Sequence, residues 1–432
     1  MDFSLLGRMF LSLPIDDIDD AQLSALTDSV ATYFRPNERL KYRGVAGVGR
    51  HGGALVFTEV DENSFPKRRI VVKYSHNPGA DADLRNEAFW LEQLRGAEHI
   101  AQMIPLANTE LNVSGTGRRP TIALEFIENG TIGQFRARYA RDHGRIPCRL
   151  LWRVFYCFAR QVAAMAFPLH QDPDLPVVRE TWREDIAPFA LTQNSGHDAN
   201  FMMGELGDGE HNLVPRIQLI DFGRGRQERD FLTAYAINIC NAAFMLLVLA
   251  LPQVPVQQLR TGESHPYGCD WGGETFYFQT MAHPAFLTRQ DIDAPLKVII
   301  ARCMSSYIND LPPLSDVLHF CEVALETRTA DNIGGGSLFP PHRESETDDG
   351  IRAIIKKYVL DAPTAGGELL PDRPIYDDSQ IGYTLLGRNL YNFLPRRSRN
   401  EPAPAPAPGT LWEGYQGWLA QERADPDPMD VD

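Results

Sequence analysis

Residues 191–225 read LTQNSGHDANFMMGELGDGEHNLVPRIQLIDFGRG, and the reading of the whole chain turns on them. Ile217-Gln218-Leu219-Ile220 is a short apolar run that predicts a buried strand, and it ends in Asp221-Phe222-Gly223. Upstream, a polar segment closes at Asn200 and gives way to a second apolar run, Phe201-Met202-Met203. The pattern predicts a loop, a pair of strands and an acidic residue where the second strand stops. Alone, an aspartate after a strand is also an ordinary turn residue, so its meaning depends on what lies upstream.

The chain has 432 residues, enough for two or three compact units, with 43% apolar and 23% charged residues, as in ordinary globular proteins. A net charge of −15 argues against wholesale binding to nucleic acid or to an anionic membrane. The six cysteines are scattered with no Cys-x-x-Cys pair. That favours reduced thiols inside the cell, in cytoplasm or nucleus, over disulfides or a zinc motif. The opening apolar run is short and interrupted by Arg8, so it reads as an amphipathic helix and not as a secretory signal.

Upstream partners are present. Gly47-Val48-Gly49-Arg50-His51-Gly52 fits G-x-G-x-x-G, and the strand-like run after it predicts a hairpin, with a plain flexible turn as the competing reading. Arg69-Ile70-Val71-Val72-Lys73 predicts a strand ending in a lysine, which could equally be a solubilising edge residue. A helical pattern follows through Leu84, Ala88, Leu91 and Leu94, with Asn86 and Glu87 on its flank. Thr121 to Phe126 predicts a further buried strand running into a turn at Glu128-Asn129-Gly130.

With these pieces in line, the chain over roughly residues 40–325 resembles the eukaryotic protein-kinase-like superfamily, most closely a divergent set of fungal kinase-domain proteins. The resemblance implies an α+β, bilobal fold with a small β-rich N-lobe carrying one helix and a larger, mostly helical C-lobe. It implies an N-terminal extension over 1–39, an N-lobe over 40–128, a C-lobe over 129–330 and a C-terminal extension over 331–432. It also implies ATP and Mg²⁺ as ligands. Gly47, Gly49 and Gly52 would cover the phosphates, and Lys73 would hold them while pairing with Glu87. Leu124, Glu125 and Phe126 would line the adenine pocket, and Asn200 and Asp221 would hold the metal.

The likeness breaks in the catalytic loop. Counting back from Asn200, the family's His-Arg-Asp triplet falls on Gln193-Asn194-Ser195. Ser195 is a neutral alcohol at pH 7, and loss of a general base typically costs about 10²–10⁴ in rate. Asp198 is placed to brace the loop, or to act as a surrogate base. No Ala-Pro-Glu triplet follows Asp221-Phe222-Gly223. Asn238 stands where the family has a bracing aspartate, and Leu311 where it tends to carry an arginine before proline. Substrate-positioning parts are degraded and nucleotide-site parts persist. The expectation is therefore a pseudokinase that binds ATP and regulates or scaffolds a protein partner. The alternative is an active atypical Ser/Thr kinase that transfers the γ-phosphate to a protein hydroxyl. A small-molecule kinase of the aminoglycoside-phosphotransferase kind also needs the missing loop aspartate.

Further on, Leu151, Val154, Phe155, Phe158, Val162 and Met165 form the stripe of a long core helix. Residues 234–251 are apolar almost all round and predict a central buried helix, with a membrane span as the competing reading. Residues 265–271 read as a loop, and 295–304, 314–325 and 351–360 as helices. A Pro-Ala spacer over 401–408 precedes Trp412, Tyr415 and Trp418, which are spaced to pack back on the lobe or to meet a partner. Arg396-Arg397-Ser398-Arg399 is a short basic cluster of nuclear-signal type.

Overall fold

A computed structural model describes residues 28–34, 37–49, 52–75, 78–106, 110–113, 117–260, 262–271, 274–333 and 340–362. The amphipathic start, the cluster at 396–399, the Pro-Ala spacer, Trp412, Tyr415 and Trp418 lie outside these residues. Within them the chain is a mixed α+β protein.

Strands β1 (Leu40–Gly49), β2 (Gly52–Val60) and β3 (Pro66–Ser75) form an antiparallel meander. Helix α1 (Pro78–Gln93) follows, and then β4 (Met103–Ile104), β5 (Glu110–Val113) and β6 (Gly117–Glu125). The sheet order is β1-β2-β3-β6-β4, with β5 also paired to β6. Alternation along β3 decides its two faces. Ile70, Val72 and Tyr74 are buried with Leu55, Phe57 and the helical residues Val30 and Phe34, while Arg69, Val71 and Lys73 point the other way. On that other face α1 brings Leu84, Trp90 and Leu91 against Ile122 and Leu124.

The remainder is mostly helical: α2 (Ile132–Asp142), α3 (Cys148–Ala166), α4 (Phe231–Ala250), α5 (Ala294–Cys303), α6 (Leu314–Thr327) and α7 (Asp348–Ile355). The expected stripe on α3 is buried throughout, and Phe155 and Phe158 each contribute roughly 1.5–3 kcal/mol of apolar transfer. Helix α4 is long and apolar enough to cross a membrane, yet it packs among α3 and α5, with 72% of its apolar window buried inside the fold. Its N-terminus is capped by Asp230, whose side chain accepts from the Thr233 amide at 2.8 Å. Arg136 of α2 donates to the carbonyls of Val248 and Val254, at 3.1 and 2.6 Å, and so satisfies the other end.

Two local expectations change. After the short strands β7 (Leu191–Thr192), β8 (Phe201–Met203), β9 (Ile217–Leu219) and β10 (Arg226–Gln227), residues 265–271, read as a loop, form strand β11 (His265–Trp271), paired in register with β12 (Glu274–Thr280). Supplied with a partner strand, that segment completes a ladder that its own composition does not announce. The helix expected over 351–360 begins earlier, as α7, and its second half over Lys356–Leu360 is π-helical.

The segment carrying α7 is anchored deep in the fold. The fully buried Glu346 takes an ion pair from Arg145 and accepts from the Cys148 and Arg149 amides at 2.7 and 2.9 Å. Pro147, at the N-cap of α3, offers no side-chain acceptor, so a carboxylate from far down the chain satisfies that helix end and its dipole.

Candidate functional site

The strand pair read from residues 191–225 is present as β8 (Phe201–Met203) and β9 (Ile217–Leu219), antiparallel and in register. A single turn of 3₁₀ helix, Asp198–Asn200, leads into β8, and Asp221 follows β9. Asn200 and Asp221 thus leave one end of a two-stranded ladder side by side. The Asn200 Nδ2 donates to Asp221 Oδ2 at 3.4 Å, to Ser195 Oγ at 2.7 Å and to the Ser195 carbonyl at 2.9 Å. Asp221 has φ +65°, a left-handed conformation uncommon outside glycine, and the Gly223 amide donates to its Oδ1 at 3.2 Å.

Lys73, across the sheet from Ala54 and Ile122, reaches down to Glu87 on α1 with Nζ 2.6 Å from Oε1. Glu87 and Asp221 each feel the Lys73 charge, and Glu87 also feels that of Asp221, so the lysine pair and the Asn200–Asp221 pair meet in one place. Burial pushes the Glu87 carboxyl up; Lys73 pulls it down, Asp221 pushes it further up, and burial prevails. At Asp221 burial also pushes up, but Lys73, His197 and the Gly223 amide together hold the carboxyl below its usual range. A lysine, two carboxylates and an asparagine amide therefore converge, with Asp221 held as an anion.

The glycines lie in the same sheet as Lys73. Ala54 lies in register between Gly47 on β1 and Lys73 on β3, and Gly49 faces Gly52 at the hairpin end. Gly52 has a packing reason of its own, since a Cβ there would run into the Tyr74 carbonyl. Leu124 is buried in the core beneath the sheet. The next two amides are already committed: Glu125 N–H donates to the Gln102 carbonyl at 3.0 Å and Phe126 N–H to that of Arg69 at 3.4 Å. The Glu125 side chain accepts from the Gln102 amide and from Gln218, at 2.8 and 2.5 Å, and Arg69 covers the Phe126 ring at 4.5 Å. The amides of Glu125 and Phe126 are therefore tied to the protein itself.

Residues around this group build its frame, and of these Trp90 and His197 were not singled out by the sequence. Asn86 donates to the carbonyls of Phe222, Gly223 and Gly225, at 3.4, 3.1 and 2.7 Å, and Trp90 donates to Gly225 at 2.9 Å. These bonds staple α1, and with it Glu87, to the loop carrying Asp221. Gln193 donates to the Ile220 and Asp221 carbonyls and accepts from the Ser195 amide. Asn238 of α4 donates to the Leu191 carbonyl at 2.7 Å and accepts from the Gln193 amide at 3.4 Å, so it braces the loop as an amide. Ser195 is buried and held by Asn200. Asp198 turns away from the group: its carboxyl lies 2.9 Å from where a Cβ on Gly133 of α2 would stand. His197 carries a mostly hidden imidazole whose pKa burial lowers to about 4, with Asp221 raising it and Arg260 lowering it. Leu311 packs against the core.

No protein-family model matches the chain, and no curated protein matches it.

Proposed function

We propose that this chain is a bilobal, protein-kinase-like protein that binds Mg-ATP beside Lys73 but transfers phosphate poorly, and that it regulates or scaffolds a protein partner. The observation that carries the proposal is the Lys73–Glu87 ion pair standing beside the Asn200–Asp221 pair, with Lys73 coupled by charge to both carboxylates. These residues suit the ligand. Asp221, held as an anion, and Asn200 are oxygen donors for a hard cation, and Lys73 offers a charge to the α and β phosphates. Bound magnesium supplies neutralisation of phosphate charge. Ser195, tied to Asn200, supplies no base, and the chain lacks an Ala-Pro-Glu platform for a protein substrate. The six free thiols fit a reducing, intracellular setting.

One observation favours the alternative, an active atypical Ser/Thr kinase. His197 is electrostatically coupled to Asp221, and its Nδ1 is buried with no hydrogen-bond partner. With its pKa lowered to about 4, its basicity is close to that of the carboxylate it would replace.

The deciding experiment is thermal unfolding of the full chain with and without Mg-ATP, followed by a phosphotransfer assay. Ligand at a hundredfold excess over its Kd stabilises by about 2.7 kcal/mol, so the midpoint should rise by several degrees. The rise should vanish in Lys73→Met and shrink in Asp221→Asn. No rise in the wild type would defeat the proposal. Transfer that needs both Asp221 and His197 would establish the alternative.

A further inference from the structure

Away from the Lys73 group, three buried side chains from separate elements turn their ligand atoms toward one another. His99 lies in the turn after α1, Cys157 on α3 and His211 in the loop between β8 and β9. Each is at most 4% exposed, and the His99, Cys157 and His211 ligand atoms all lie within 4.8 Å of one another. A fourth group joins them, because Glu210 Oε1 stands 3.7 Å from His99 Nε2 and 3.5 Å from His211 Nε2. All three of those atoms are buried without a hydrogen-bond partner, with Arg179 Nε 3.5 Å from Glu210 Oε1 as an ion pair. Converging orphan polar atoms are costly in a folded interior and call for an explanation.

We propose that His99, Cys157, His211 and Glu210 form a structural site for a divalent transition metal of the zinc class. With bonds of about 2.0–2.3 Å, tetrahedral geometry puts ligand atoms roughly 3.3–3.6 Å apart. The two Glu210 distances, 3.7 and 3.5 Å, lie close to that range, and the His99, Cys157 and His211 ligand atoms, within 4.8 Å of one another, would close in on the ion. One thiolate, two imidazoles and a carboxylate are the borderline-soft donor set that zinc takes, and not the all-oxygen set of magnesium or calcium.

The outer shell is also built. Glu180 takes the His99 Nδ1 at 2.6 Å with one oxygen and the His99 backbone N–H at 2.7 Å with the other. This fixes the ring and directs Nε2 inward, as carboxylates do behind metal-bound histidines. Arg160 holds the other oxygen of Glu210 at 3.0 Å and donates to the Glu180 carbonyl. On binding, the Cys157 thiol proton and any proton on His99 Nε2 leave to solvent, and the metal takes their place. The metal would pin the turn after α1, the middle of α3 and the β8–β9 loop together. It is independent of nucleotide binding.

The test uses the full chain loaded with Zn²⁺, and separately with Co²⁺. One metal per chain is expected, with a zinc absorption-edge shell of a single sulfur and the remainder nitrogen or oxygen. The cobalt form should show a thiolate charge-transfer band that Cys157→Ser abolishes and Cys240→Ala keeps, and His211→Gln should weaken retention of the metal. The absorption-edge result needs no variant, so it stands even if a substitution impairs folding. A folded wild-type chain that takes up neither metal, a zinc shell without sulfur, or a cobalt band that survives in Cys157→Ser would overturn the proposal.

Discussion

At Glu87, burial and pairing pull in opposite directions, and that tension makes the ion pair measurable. Lys73 retains 20% of its side-chain exposure and Glu87 only 5%. Removing the cation by Lys73→Met leaves a carboxylate that is buried, beside Asp221 and unpaired. A fully buried unpaired charge costs about 3–5 kcal/mol, and partial access for the lysine brings the expected loss to roughly 2–3 kcal/mol. Adding Glu87→Gln removes the stranded charge, so the double variant should recover about 1–2 kcal/mol relative to Lys73→Met. Urea unfolding of the four proteins in that cycle measures both figures. If the two losses simply add, the pair is not coupled.

At the scale of elements, α2 separates stability from site geometry. Its first turn carries a capping box: Thr131 Oγ1 accepts from the Gln134 amide at 3.1 Å, and the Gln134 side chain accepts from the Thr131 amide at 2.9 Å. Thr131→Ala should lower stability by about 1 kcal/mol and leave nucleotide affinity unchanged. Gly133→Ala is the contrast. Its new Cβ would stand 2.9 Å from the Asp198 carboxyl and press on the turn that presents Asn200. Nucleotide affinity should therefore fall more in Gly133→Ala than in Thr131→Ala, as titration calorimetry with Mg-ATP would show. The reverse order would mean that Asp198 does not position Asn200.

The same scale shows what could be read from the chain. Long apolar stripes such as that of α3, and β-branched runs such as 69–73, announced their elements because burial alone enforces their periods. The nearness of Lys73 to Glu87, and of Asn200 to Asp221, was implied by the family resemblance and not by periodicity, which leaves Glu87 equally a solvated helix residue. The hairpin of β11 and β12 was not, because Pro266 and Gly268 weaken the strand signal and the ladder is supplied by pairing. Asn86 was visible only as a neighbour of Glu87, since its three carbonyl partners lie far along the chain. His99, Cys157 and His211 form no short motif, and only packing brings them together.

For the whole molecule, the telling contact is Glu346 at the head of α3. Glu346→Ala would leave buried Arg145 with only the more distant Asp291 carboxylate, 3.7 Å away, and two helix amides without an acceptor. The loss should be about 3–5 kcal/mol, with Glu346→Gln roughly half as severe because an amide oxygen still accepts. Differential scanning calorimetry would read this as a lowered midpoint for the entire cooperative transition. An unchanged midpoint in Glu346→Ala would mean that the segment beyond residue 340 adds nothing to the fold.

That contact also fixes an order of events during synthesis. Cys148 and the glutamate that receives its amide are 198 residues apart in the chain. At about 5–20 residues per second, the ribosome needs roughly 10–40 s to deliver the second after the first. Throughout that interval the head of the central helix waits in the nascent chain without the carboxylate that receives its amides. The protein can thus collapse early but cannot lock until its last described segment has emerged.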